Sequence, residues 1–236
     1  MSTRTTGQPA GPAPGTAEQA RERNRRGHGA ELRADILIAA RALLDETGNA
    51  EDVTLRAVAR RVGITAPSIY AHFPGRQALL LALVQDSFEE LRDQLQAAAD
   101  GTSSPASHGD PAERLHAVCT AYLDFAATRP QHYRLMFGGL WIAAEAISSS
   151  AASRDQVAAL GQDALAVFIS SMQACVAAGR SASTNPHADA IALWLGLHGL
   201  AHQRAVTVAF PWPADIADRL VTSLAQLTAD LRQAGQ

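Results

Sequence analysis

TLRAVARRVGITAPSIYAHFPGRQALL, residues 54–80, decides how this chain is read. Leu55, Val58, Ala59 and Val62 recur at helical spacing, and Thr54 stands where its hydroxyl can accept a backbone N–H one turn on. Gly63 supplies a turn and Ile64 plugs the space between two helices. Thr65 is placed to cap a second helix, with Pro67 in its first turn, where a missing N–H costs nothing. Ile69 and Phe73 point back inward, and Gly75 and Arg76 restart a helix. Two short helices joined by a turn of about three or four residues containing Gly form a helix-turn-helix. Such a unit lays its second helix in the DNA major groove.

Outward from that stretch, residues 31–47 carry Leu32, Ile36, Ala39 and Leu43 beside Leu37, Ala40 and Leu44, a wide apolar stripe at helical period. Gly48 stops it, so this helix braces the reader from behind. Downstream, the helix opened by Arg76 runs through Leu79, Leu83, Phe88, Leu91 and Leu95. At ~1.5 Å per residue it spans roughly 35–40 Å, enough to leave the reader and enter a second domain. The breaker cluster GTSSPASHGDP, residues 101–111, ends it. Helical segments are predicted beyond it at about 111–128, 131–137, 153–178, 187–210 and 213–233, the last carrying Leu224, Leu227 and Leu231.

The chemistry that the exposed positions offer is that of a DNA contact. Ser68 can hydrogen-bond a base edge, and Ala66 or Pro67 can meet a thymine methyl. No Arg, Asn or Gln stands in residues 65–72 to make the bidentate contacts that discriminate most strongly, which leaves Arg56 as the best candidate base reader. Thr54, Tyr70 and Arg76 suit phosphates, which fix register without reading sequence. His72 can do the same, or it and Tyr70 simply cap the small domain.

Composition sets the frame. The chain has 236 residues, 47% of them apolar, with Ala and Leu dominant and few β-branched runs, which favours an all-α protein. Net charge is −3, and every basic side chain is Arg. Residues 1–87 hold eleven Arg against nine acids, and residues 88–236 hold nine against fourteen, so the basic end is the one with the reader. Residues 1–30, with GQPAGPAPG, are expected to be disordered. Arg21, Arg23, Arg25 and Arg26 then form either a basic arm for DNA or a solvated tail. Cys119 and Cys175 sit in apolar helical patterns and read as buried hydrophobes. No run of about 18 apolar residues and no signal-peptide h-region occurs, so a cytoplasmic protein without a membrane partner is expected.

Val53, Thr54, Leu55, Val58, Ala59, Val62, Gly63, Ile64 and Thr65, followed by Tyr70, His72-Phe73 and Arg76, make the segment resemble the DNA-binding domain of the TetR family of bacterial transcriptional regulators. Arg76 stands where the family usually has Lys, and Ala71 where an aromatic is common. The match covers about residues 31–83. Further on, Trp194, His198 and Gly199, with Arg129-Pro130 and Phe137 upstream, look like one recurrent regulatory-domain type of that family. The resemblance implies a three-helix reader at 31–77 and an α-helical effector-binding and dimerisation domain at 78–236, pairing through its last two helices. It further implies a homodimeric, ligand-responsive repressor on a palindromic operator, released by a small molecule, with no cofactor. Tyr133, Met136, Phe137, Trp141, Met172, Trp194 and His198 are the candidate walls of a cavity for an apolar or aromatic effector.

Two other classes stay open. His198 and His202 share a helix face at i, i+4, and with Asp163 or Glu145 could make a bundle enzyme or metal site, although no Glu-x-x-His pairs support it. A helical interaction module with a silent helix-turn-helix is the other.

Overall fold

The computed structural model describes residues 15–101 and 109–228, with side chains from Gly29 onward. Among these residues eleven α-helices occur, and the one β-bridge, Ser181 with Leu227, is isolated. The all-α class follows from the Ala- and Leu-rich helical periods.

The head comprises α1 (Gly15–Thr47), α2 (Leu55–Val62) and α3 (Ala66–Tyr70), leading into α4 (Arg76–Ala99). Its core joins Ile36, Ala40 and Leu44 of α1 to Val58, Ile69 and Phe73. Thr54 caps α2, accepting the Ala57 N–H at 3.1 Å, and Gly63 ends it at φ +76 in the left-handed region. Helix α1 starts earlier than expected. Residues 15–30, expected to be disordered, belong to it, because Ala, Glu, Gln and Arg, all strong helix formers, make up most of TAEQARERNRR. The arginines at 21–26 therefore stand on a helix rather than on a free arm. Residues 1–14, with GQPAGPAPG, lie outside the described residues.

The body is built from the rest of α4 and from α5 (Pro111–Thr128), α6 (Pro130–Phe137), α7 (Ala143–Ser148), α8 (Arg154–Ala159), α9 (Gln162–Ala177), α10 (Pro186–Val206) and α11 (Ile216–Leu224). The helix expected at 153–178 is two, because Leu160 leaves helical geometry and Gly161 sits at φ +74. By length and composition residues 154–177 could cross a membrane, but the break divides them and α9 packs against α4, α5 and α10. Helix α7 was not predicted; six residues are too few to show a period. The last helix closes at Leu224, earlier than expected, and the segment with Leu231 lies outside the described residues.

Helix α4 serves both cores. Leu79 to Val84 belong to the head core, and Leu91, Leu95 and Ala98 to the body core. A joint of polar groups flanks it. Arg41 of α1 pairs with Asp86 and Glu90 of α4, and Glu90 also accepts from Arg129 at 2.9 Å. His132 of α6 is fully buried, with Nδ1 2.9 Å from the Ser87 hydroxyl and Nε2 3.1 Å from an Asp45 oxygen, off the line for a good hydrogen bond.

Burial lowers the pKa of His132, outweighing the attraction of Asp45. The folded chain keeps this imidazole neutral, whereas the unfolded chain takes up a proton near pH 6.5. Unfolding thus binds protons, and stability is expected to fall as pH drops below about 6.5 toward the depressed folded value. His198 acts with the same sign. Urea titrations between pH 5 and 8 check this; His132→Gln should flatten part of the profile.

Candidate nucleic-acid interface and effector cavity

In the head, α2, α3 and the residues that flank them expose a set of mostly polar side chains. Thr54, Arg56, Thr65, Pro67 and Ser68 are exposed, Tyr70 is 51% exposed, and Ala66 and His72 are half-buried. The Thr54 oxygen accepts from Ala57, which leaves its O–H free to donate to a phosphate beside the positive end of α2. Thr65 holds the N-cap position of α3 but makes no cap bond. Its hydroxyl instead pairs with that of Ser68 at 2.9 Å, which fixes Ser68 on the exposed face. Arg56 and Arg60 are exposed on α2, whereas Arg61 is held by both oxygens of Glu46 at 2.6 Å, bracing α2 against α1.

Arg76 has an internal use that its sequence position did not reveal. Its Nε donates to Val53 O at 3.2 Å and its Nη2 to Ala50 O at 2.6 Å, tying the start of α4 to the turn before α2. Arg76→Met is expected to cost the head about 1–2 kcal/mol, since two charge-assisted bonds to a half-buried loop are lost. Thermal unfolding checks it; an unchanged midpoint would leave Arg76 only its proposed phosphate role.

In the body, an apolar cavity of about 140 Å³ lies between α4, α5, α9 and α10. Phe88, Tyr122, Phe137, Phe168 and Trp194 supply its rings. Of the expected walls, Phe137 and Trp194 line it. Tyr133 and His198 stand one layer back, their rings 5.0 and 4.9 Å from that of Phe137. Met136 and the fully buried Met172 are not among its lining residues and belong to the body core. Trp141 packs into the head core instead, beyond the turn at Gly138-Gly139.

Phe88 and Phe168 were not among the expected walls, and neither was Tyr122. Its hydroxyl lies 3.2 Å from that of Tyr133, and the Tyr133 hydroxyl lies 2.7 Å from His198 Nδ1. Burial pushes the Tyr133 phenol up to about 12, raises Tyr122 further, and holds His198 below its ordinary value. All three are therefore neutral at physiological pH, and with the imidazole proton on Nε2 the phenols donate in series toward Nδ1. The groups considered for an enzyme are scattered: His202 is exposed, Asp163 stands beside the cavity mouth, and Glu145 accepts from Gln77 at the head side. Among the described residues no three His, Cys, Asp or Glu side chains gather to hold a metal. Both cysteines are free and buried.

A helix-turn-helix head sharing one helix with a cavity-bearing helical body defines a one-chain transcriptional regulator. Residues 36–83 match the family described as bacterial regulatory proteins, tetR family, and residues 115–227 match the tetracyclin repressor-like C-terminal domain. The chain belongs to the TetR family, whose members are DNA-binding transcriptional regulators rather than enzymes. Among curated relatives, the HTH-type transcriptional regulator Rv1816 of Mycobacterium tuberculosis is 27% identical over 139 residues, 59% of this chain and 54% of the relative. The HTH-type transcriptional activator FasR of Mycolicibacterium smegmatis is 32% identical over 117 residues, 48% of this chain and 50% of the relative. The chain thus spans about half the length of the curated relatives it matches. A solved structure of a Rhodococcus sp. RHA1 protein of unknown function is 26% identical with a TM-score of 0.65, covering 85% of this chain and 95% of that one.

Proposed function

We propose that this chain is a cytoplasmic, ligand-responsive repressor that binds a palindromic operator as a homodimer and is released by a small molecule in the body cavity. The observation that carries the reading is α4: its first half builds the head core, and Phe88, Leu91 and Leu95 in its second half line the cavity. An occupant that displaces those side chains favours a different placement of the heads, in proportion to its difference in affinity for the two placements. Thr54, Tyr70, His72 and Arg76 hold phosphates, Arg56 and Ser68 reach base edges, and Thr65, Ala66 and Pro67 complete the contact.

Dimerisation is supported by α10. Ala192, Leu195, Gly199, His202 and Val206 recur at spacings of three and four and are all exposed. Gly199 has open space where a Cβ would stand, whereas Gly196 is closed by Leu224 of α11. An exposed small and apolar stripe on one helix face suits a second copy of the same helix, with α11 beside it. Two heads so joined would meet half-sites about 34–36 Å apart.

The test is a titration of the chain's own upstream DNA against random DNA at several salt concentrations, followed by transcription from that promoter. Selective binding that weakens steeply with salt, with transcription rising when the protein is removed, is the expected result. Equal binding to both DNAs would refute an operator. Falling transcription on removal would make the chain an activator, as FasR is named.

A further inference from the structure

The apolar cavity is covered on one side by a thin piece of chain. A groove of about 210 Å³ runs along its outside, between Gln85, Glu89 and Arg92 of α4 and Gln156 and Ala159 of α8. Phe88, Leu160, Gly161 and Ala164 line both the groove and the cavity, so they form the partition between the two. The remaining walls include Leu91, Leu95, Tyr122 and Phe168, each at most 1% exposed, which belong to the body core. A route through the partition leaves that core closed.

Helix α8 is built as a separate piece. Its capping box is internal: the Ser153 hydroxyl accepts the Gln156 N–H at 3.1 Å, and the Gln156 side chain accepts the Ser153 N–H at 2.9 Å. None of its six residues is buried. Among the described residues its only side-chain bond to a neighbouring helix runs from Gln162 Nε2 of α9 to the Ala158 carbonyl, at 2.6 Å. Its other hold is apolar and slight, since Val157 and the adjoining Leu160, both half-buried, pack against the head core. Elements with so few buried contacts open at low cost. At the α9 end, Leu160 leaves helical geometry at ψ 126 and Gly161 sits at φ +74, so the chain turns on a residue with no side chain to limit its rotation. A Cβ on Gly161 would stand 2.6 Å from Phe88 Cε1, so the Phe88 ring rests in the space that the missing side chain leaves.

We propose that α8 is the lid of the effector cavity, hinged at Leu160-Gly161. Swinging α8 away from α4 withdraws Leu160 from the partition and frees the Phe88 ring to turn toward the groove, which opens the way into the apolar chamber. On closing, Val157 returns to its seat on the head core and Leu160 shuts the chamber. This rests on the reading of the cavity as an effector site and adds its entrance. The lid seats on the head core, so entry of a ligand and the packing of the head bear on the same contacts.

The test uses the full chain without DNA and follows fluorobenzene by fluorine NMR exchange, since the chamber of about 140 Å³ is near the ~150 Å³ of a cavity that holds one benzene. Val157 lines neither the groove nor the cavity, so Val157→Ala loosens the lid without altering the chamber wall. Binding and release rates are expected to rise together, each about threefold to tenfold, with Kd within about twofold of the native chain. Val157→Thr, which keeps the volume, should act the same way to a smaller degree. Val118→Ala truncates a fully buried side chain of α5 that also lines neither space, and should leave both rates unchanged. Equal acceleration by Val118→Ala would mean that entry runs through breathing of the body, and would overturn the lid. Native rates in Val157→Ala, a change in only one of the two rates, or no bound fluorobenzene would overturn it as well. The rates are read without DNA, so a chain that fails to select its operator would remove the effector reading and leave the lid standing.

Discussion

Phe73→Ala is expected to destabilise the head by about 3–5 kcal/mol, the range for truncating a buried aromatic ring. Phe73 is 2% exposed and closes the core on which α1, α2 and α3 converge. Its ring also lies 5.1 Å from the guanidinium carbon of Arg33, so truncation removes a cation–π contact with the cavity it opens. Whole domains are stable by only about 5–15 kcal/mol, so this is a large share. The body keeps its own core around Tyr122, Phe125 and Phe168 and should persist. Hydrogen exchange resolved by segment is the measurement. Amides of α2 and α3 should lose protection while those of α5 and α9 keep theirs. A loss below about 1.5 kcal/mol, uniform over the chain, would show that the head does not depend on this ring.

Arg56→Ala is expected to weaken operator binding by about a hundredfold or more. A bidentate base contact is worth roughly 1–3 kcal/mol, and each proposed dimer carries two, so the loss counts twice. Arg56 is exposed in the first turn of α2, whereas its neighbour Arg61 is committed to Glu46. The same substitution should cost random DNA far less. Fluorescence anisotropy on both DNAs separates the outcomes, and an equal loss on each would reassign Arg56 to a phosphate.

The head was legible because its signals are local. Thr54, Gly63 and Pro67 each act within one turn, and Leu55, Val58, Ile69 and Phe73 show their faces by period alone. What the sequence concealed depends on distance along the chain. Tyr122 reads as an ordinary core aromatic until the fold sets it 3.3 Å from His198, 76 residues on. Trp141 looked like a cavity wall, yet it lies beyond the glycine turn and packs into the other core. Arg76 gives no sign of its tie to the turn before α2, because nothing in its neighbourhood announces carbonyls 23 and 26 residues upstream. The break at Leu160-Gly161 was hidden for another reason: a Gly inside an apolar run reads as a tolerated fault until its φ is known.

The joint at α6 has a mechanical consequence. Arg129 and His132 hold α4 through Glu90 and Ser87 at the start of a helix only eight residues long, while Phe137 at its other end forms part of the cavity. So short a rod cannot bend to absorb a displacement. A push at its far end would bear on the His132–Ser87 contact and on the Arg129–Glu90 pair. An occupant of the cavity, as proposed above, would thus load the joint that ties the head to the body.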